Sequence, residues 1–321
     1  MKTTRTLAAA AAAALLLTGC GTTEEPAAES APSAEAITVT DSRGQEVRLD
    51  GPAVRVVGTE WNVVENLVTL GVMPVGVADV KGYGAWVSAG ELDGSVTDIG
   101  TRGEPSFETI ASLDADLIVA TADLPEAALS QLEDLAPVLV VRSADASRQI
   151  DQAKDNLTMV AEATGTEDRA EEAIGAFDAA VDRGKESLEA AGLAGTRVAF
   201  ADGWVADGQV SIRPFVDGSL LADINTELGL VSPWEMEGDA AYGLAQSDVE
   251  GLTNLEADRF VYITNEADGD FTETLADNPV WTSLPFVESG DVHRLEDGIW
   301  MFGGPASMTQ YVDALVRALA P

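Results

Sequence analysis

Ser106-Phe107-Glu108-Thr109-Ile110-Ala111-Ser112-Leu113-Asp114-Ala115-Asp116-Leu117-Ile118-Val119 recurs further along the chain as Asp248-Val249-Glu250-Gly251-Leu252-Thr253-Asn254-Leu255-Glu256-Ala257-Asp258-Arg259-Phe260-Val261, at a constant offset of 142 residues. Each copy opens on a side chain suited to cap a helix, continues through a short amphipathic turn, and ends in apolar residues that read as a buried strand. A helix–strand unit used twice at that spacing predicts two halves of like construction. Leu70-Gly71-Val72 and Leu228-Gly229-Leu230 form a weaker echo, each placing glycine where a helix ends in the left-handed conformation.

Working outward, strand-like and helix-like segments alternate. Arg55–Gly58 is a β-branched run, Trp61–Leu70 has helical apolar spacing, and Val75–Val77 is strand-like again. Leu117–Ala120 and Val138–Val141 are further strands, with a helix over Pro125–Leu135 between them, so the first half reads as βαβ units over a parallel sheet. Between the halves, Thr166–Ala191 is rich in Ala, Glu and Asp and carries Ile174, Phe177, Val181 and Leu188 at helical spacing. It is long enough to form one connecting helix, weakened by Gly175 and Gly184. The fold class is therefore α/β: two similar lobes with central sheets, 37–165 and 193–321, joined by a long helix over 166–192.

The N-terminus explains where this protein works. Lys2 and Arg5 precede an apolar run, Leu7–Leu17, too short to span a bilayer, which ends in Leu17-Thr18-Gly19-Cys20. This is the pattern of a bacterial lipoprotein signal, and the expectation is that residues 1–19 are removed and the Cys20 thiol lipidated, for instance with palmitate. Gly21–Ala36 is composed of small, polar and acidic residues with proline, a tether that cannot order itself. The expected location is the outer face of the cell membrane, held by the lipid alone.

Composition excludes several classes. A net charge of −37 rules against nucleic acid as a partner. His293 is the only histidine and Cys20 the only cysteine, so neither a Ser-His-Asp or Cys-His constellation nor a His-rich metal site can be assembled beyond it. No glycine loop of the phosphate-binding kind is present. An enzyme, a resident cofactor and a protein-held metal are all disfavoured.

Several separated stretches then point to a known family. They are Arg55–Trp61, Leu70–Asp79, Trp86-Val87-Ser88, Asp98–Ser106, Asn278–Trp281 to Phe286-Val287, and Ile299–Pro305. In this order they resemble the siderophore and vitamin B12 class of solute-binding proteins, and most closely the ferric-hydroxamate binders of ABC importers. The resemblance implies a shallow cleft between two lobes, limited closure because of the connecting helix, and a ferric siderophore as ligand, its iron held by the siderophore itself. It further implies an ABC permease dimer with its ATPase as partner, and a monomeric binding protein.

A ferric hydroxamate complex presents an iron–oxygen centre wrapped in hydrocarbon, so its site needs aromatic walls and a donor for the hydroxamate oxygens. Arg102, in a loop bounded by Gly103 and Pro105, matches the family's ligand-contacting arginine; the plain alternative is pairing with Glu104 or Glu108. Trp86, in the loop of Lys81-Gly82-Tyr83-Gly84-Ala85, and Trp300, beside Met301 and Phe302, match cleft tryptophans. Tyr242 stands where hydroxamate binders resemble one another in carrying a tryptophan. Tyr83, Trp61 beside Glu60, and the Trp204, Arg213 and Phe215 neighbourhood are further wall candidates. An expected first-lobe tyrosine is missing from Thr121-Ala122-Asp123-Leu124.

Few cations are available, Arg102, Arg213 and Lys81, which suits a neutral or cationic hydroxamate complex better than an anionic catecholate or ferric dicitrate. Haem or cobalamin is the alternative ligand, with Tyr242, Tyr83 or Met301 as possible haem ligands. Glu108 and Glu250, at equivalent places in the two repeats, match the family's pair of permease-docking glutamates; as first-turn carboxylates they also favour the helix dipole.

Overall fold

The computed structural model describes residues 36–265 and 269–320. The signal segment, Cys20 and nearly all of the tether lie outside these. The described chain is α/β, with two main sheets, two small two-stranded ones and a long helix between the main sheets, as the alternation of segments predicts.

The first sheet has five parallel strands in the order Thr97–Asp98, Gly76–Val77, Val56–Gly58, Leu117–Thr121, Val138–Val141. Its inner strands are buried on both faces, which is why they read as unbroken apolar runs. The second sheet runs Gln209–Pro214, Val198–Ala206, Arg259–Tyr262, Val292–Arg294; only its first pair is antiparallel.

The repeat is more extensive in three dimensions than in sequence. Val56 pairs with Leu117 in one sheet and Val198 with Arg259 in the other, so strands separated by 142 residues hold the same register. The preceding backbone is pinned alike: the Asp116 carboxylate accepts from Arg55 N at 3.0 Å, and that of Asp258 from Arg197 N at 2.9 Å. The two capped turns differ. Ser106 Oγ accepts from Thr109 N at 3.2 Å and starts an α-helix, Phe107–Ala111, whereas the second copy is a 3₁₀ turn, Glu250–Asn254. Gly251 takes the place of Thr109, and a Cβ there would lie 2.1 Å from Ser247 Oγ, so a side chain in this tighter turn would displace that hydroxyl.

The connecting helix spans Glu167–Ala190, about 36 Å at the usual rise. Phe177, Ala180, Val181 and Leu188 join its inner face to the second-lobe core, with Phe200, Ile224, Tyr311 and Leu315. Gly184 sits where this helix meets its neighbours: a Cβ there would be 2.8 Å from Leu228 Cδ2 and 3.1 Å from Val312 Cγ1. At Gly175 a Cβ would meet nothing within 4 Å.

A second helix, Gln149–Thr164, ends at Gly165 in the left-handed conformation just before the connecting helix. Sequence analysis did not anticipate it, although Leu157, Val160, Ala161 and Thr164 have helical spacing and are all buried. The side-chain amide of Gln149 donates to Gly218 O at 2.9 Å and Ala241 O at 2.8 Å, fastening this helix to the second half of the chain.

A buried carboxylate ties the halves together. Glu65, on helix Trp61–Thr69, accepts from Gly304 N (3.1 Å), Ser307 N (2.9 Å) and Ser307 Oγ (2.7 Å) at the start of the C-terminal helix Pro305–Leu319. Gly303 and Gly304 are required for this approach, because a Cβ on either would come within 2.3 Å of Glu65 or Asn66.

Candidate functional site

The carboxyl ends of the first-lobe strands lead into one side of an open cleft, and second-lobe segments form the other. Ligands of open α/β sheets characteristically bind at such strand ends. The cleft has a volume of ≈ 370 Å³.

Its floor is aromatic. Trp61 and Trp300 meet edge to face at 4.9 Å between ring centroids, and Trp300 also meets Trp86 at 6.1 Å and Phe302 at 5.1 Å. Phe302 lies 5.7 Å from Tyr242, which continues the wall into the second lobe. Trp61 is nearly buried, its indole N–H donating to Ala78 O at 3.1 Å, so it serves as packed foundation and wall together. Trp300 is buried too, and its Nε1 has no partner among the described residues; neither has Asn62 Oδ1, another cleft-lining atom.

Arg102 occupies the turn between the short strands Gly100–Thr101 and Glu104–Pro105, where Gly103 takes a positive φ of 81°. Its guanidinium lies over Trp61, 3.9 Å from the ring centroid, and 5.5 Å from that of Trp300. Its ion-pair partner is neither Glu104 nor Glu108 but Glu60, at 2.9 Å. Glu60 in turn precedes helix Trp61–Thr69 and accepts from Trp61 N. Arg213, on the edge strand Gln209–Pro214, grips Asp202 through Nε at 2.9 Å and through Nη2, and its guanidinium lies 5.3 Å from the Phe302 ring centroid.

Tyr242 donates its hydroxyl to Asp123 Oδ2 at 2.7 Å. The acceptor lies in the segment where a first-lobe tyrosine was expected, so here an aspartate and the second-lobe tyrosine meet across the cleft. Burial, with the Asp123 charge beside it, pushes the Tyr242 hydroxyl pKa well up, and the group stays a neutral donor.

Trp61, Trp86, Arg102, Arg213, Tyr242 and Trp300 thus line a single cleft. Tyr83 does not. The segment read as a loop is a helix, Val80–Trp86, started by Asp79 accepting from Gly82 N at 3.0 Å, and it turns Tyr83 inward, where the buried hydroxyl donates to Gly90 O at 2.6 Å. A Cβ on Gly82 would meet Asp79 Oδ2 at 2.2 Å and Trp61 at 2.5 Å, so glycine here is what lets the helix pack rather than a loop signal. Trp204 is 40% exposed and Lys81 is exposed; neither lines the cleft. Phe215 is buried beneath Phe302 at 5.6 Å. Glu60 and Met301 line the cleft as well, and Phe302, Leu244 and Asn62, which sequence reasoning had not singled out as wall residues, complete the lining.

Glu108 and Glu250 are both exposed, one on each copy of the repeated turn. His293 lies on strand Val292–Arg294 beside Arg259, its pKa lowered by burial and that neighbouring charge. Among the described residues no group of His, Cys, Asp and Glu could hold a metal ion, and no helix is long and apolar enough to cross a membrane.

Residues 56–297 match the model of the periplasmic binding protein family. The chain belongs to that family. Over 268 residues it is 26% identical to the iron(3+)-hydroxamate-binding protein FhuD of Escherichia coli, covering 83% of this chain and 86% of FhuD. It is 27% identical over 295 residues to the Fe(3+)-citrate-binding protein YfmC of Bacillus subtilis, covering 89% and 86%. The crystal structure of the siderophore-binding protein FhuD from Vibrio cholerae, with Fe3+-Desferal bound, superimposes with a TM-score of 0.74 at 28% identity, over 84% of this chain and 99% of that one. Membership places the chain among solute-binding proteins rather than enzymes.

Proposed function

We propose that this protein is the extracytoplasmic solute-binding component of an ABC importer, and that it captures a ferric siderophore of the hydroxamate type in the cleft between its lobes. The observation that carries this is Arg102, held over Trp61 and Trp300 at one end of an aromatic cleft. A guanidinium so placed offers several N–H donors to the oxygens around an iron centre, while the rings meet the ligand's hydrocarbon. The iron(3+)-hydroxamate-binding relative and the neighbour with Fe3+-Desferal bound support the same ligand class. Haem is less well served, since the Tyr83 hydroxyl is buried against Gly90 and that of Tyr242 is engaged by Asp123, which leaves nearly buried Met301 as the remaining axial candidate.

In this reading Glu108 and Glu250 present one carboxylate from each lobe to the two subunits of the permease, which an ATPase drives. Lipidated Cys20 holds the monomer to the outer face of the membrane, and the tether gives it reach.

The test is equilibrium dialysis of the form beginning after Cys20 against iron-loaded ferrioxamine B, ferrichrome, ferric enterobactin, haemin and cobalamin, with Arg102→Ala and Trp86→Ala in parallel. Loss of a charge-assisted hydrogen bond weakens hydroxamate binding by about 10- to 100-fold in Arg102→Ala. Exclusive binding of haemin or cobalamin, or unaltered hydroxamate affinity in Arg102→Ala, would overturn the assignment.

A further inference from the structure

The arginines of the cleft do not stand alone. The charged side chains lining it, among the described residues, are Glu60, Arg102 and Arg213. Arg102 is paired with Glu60 at 2.9 Å, and Arg213 is gripped by Asp202, whose side chain is only 7% exposed. Two guanidinium groups are therefore matched by two carboxylates, and the formal charge of the two pairs sums to zero. Asp123, hydrogen-bonded to Tyr242, adds a negative group at the junction of the lobes. Five of the remaining wall residues, Trp61, Trp86, Tyr242, Trp300 and Phe302, are aromatic, and the electron density of their ring faces favours cations over anions. Beyond the cleft, the chain's net charge of −37 repels an approaching anion.

We infer that Glu60 and Asp202 are specificity-determining residues: built-in counter-charges that leave the arginines able to donate hydrogen bonds while cancelling the field that would draw an anionic iron complex. The inference rests on the ferric-siderophore reading of the cleft and concerns which complexes that cleft admits. The chemistry is discriminating. Three hydroxamates, each losing one proton, neutralise ferric iron, and a free amine on the backbone makes the complex cationic. Three catecholates, each losing two protons, leave a trianion. A neutral complex needs donors but no net charge, and Glu60 engages only one of the five N–H groups of Arg102. A trianion would have to compete with both carboxylates for the arginines, and drawing Arg102 away would leave the Glu60 charge beside a ligand of the same sign. Overall identity does not make this distinction, since relatives named for hydroxamate and for citrate complexes of iron match this chain to the same degree.

Glu60→Gln provides the cleaner variant, because Gln keeps the side-chain oxygen that accepts from Trp61 N at 2.9 Å. Asp202→Asn is the second. Dissociation constants for ferrichrome, ferrioxamine B, ferric dicitrate and ferric enterobactin are measured by equilibrium dialysis at low and high salt, with melting temperatures as the check on folding. In Glu60→Gln the affinity ratio of ferric enterobactin to ferrichrome rises at least about tenfold at low salt, and the rise shrinks at high salt. An unchanged ratio in folded Glu60→Gln, or tighter binding of ferric enterobactin than of ferrichrome by the wild type, would overturn this inference and leave the siderophore-binding assignment standing. Should Asp202→Asn fail to fold, Glu60→Gln alone decides. Failure of the wild type to bind any ferric complex would overturn the functional assignment itself, and this inference with it.

Discussion

Replacing Glu65 by Gln tests which of two opposed forces governs the junction between the lobes. Burial favours the neutral acid, whereas the donors from Gly304 N, Ser307 N and Ser307 Oγ favour the carboxylate. Burial is the larger effect and pushes the Glu65 pKa up from 4.5 to about 7. A folded-state pKa above the unfolded one means that the associated stability is complete below the unfolded value and is lost as pH rises through the folded one. The wild type should therefore lose on the order of 3 kcal/mol relative to Glu65→Gln between about pH 4.5 and pH 8, at 1.4 kcal/mol per pKa unit. Gln suits the site: its oxygen can keep both backbone donors and its amide can donate to Ser307 Oγ. Urea unfolding of both proteins across this range provides the difference curve, in which shared groups such as half-buried Asp223 cancel. If the wild type instead gains on Glu65→Gln as pH rises, the hydrogen bonds outweigh burial and the argument is refuted.

Further outcomes follow from the glycines and from Tyr83. Gly175→Ala adds a methyl group to open space in the connecting helix and should stabilise the protein by about 0.5–1 kcal/mol, seen as a higher urea midpoint. The same change at Gly184 drives a Cβ against Leu228, Val312 and Val316 and should destabilise, the overpacking cost of about 1–3 kcal/mol exceeding the gain in helix propensity. Equal effects at both positions would contradict the packing described. Tyr83→Phe removes a buried hydrogen bond to Gly90 and should lower stability by about 1 kcal/mol. A loss of ligand affinity larger than its loss of stability would return Tyr83 to the binding wall.

The repeat and the connecting helix were legible because both are local patterns: a cap, an amphipathic turn and a buried strand within fourteen residues, and helical spacing across Ile174, Phe177, Val181 and Leu188. Helix Val80–Trp86 was not, because Gly82 and Gly84 weigh against helix in any propensity argument, while the reason for Gly82 is its contact with Trp61 from another helix. The charge pairs of the cleft were equally hidden. Arg102 had nearer carboxylates at Glu104 and Glu108, yet the fold delivers Glu60 from 42 residues away. Sequence proximity ranks partners poorly once a turn has pointed a long side chain elsewhere.

The matched registers of the two sheets make this molecule its own replicate. Asp116 and Asp258 secure equivalent backbone, but the arginines beside them part ways: Arg55 donates to the carbonyls of Leu113 and Asp114, whereas Arg197 folds back onto Asp258 itself at 2.9 Å. One polypeptide thus presents a natural paired comparison, a like-placed aspartate staple with and without an ionic clasp. The difference between the two aspartate-to-asparagine substitutions sets that clasp against the second backbone bond that Asp116 accepts, from Val54 N at 3.0 Å, in a shared solvent, temperature and ionic background that no pair of separate proteins can match.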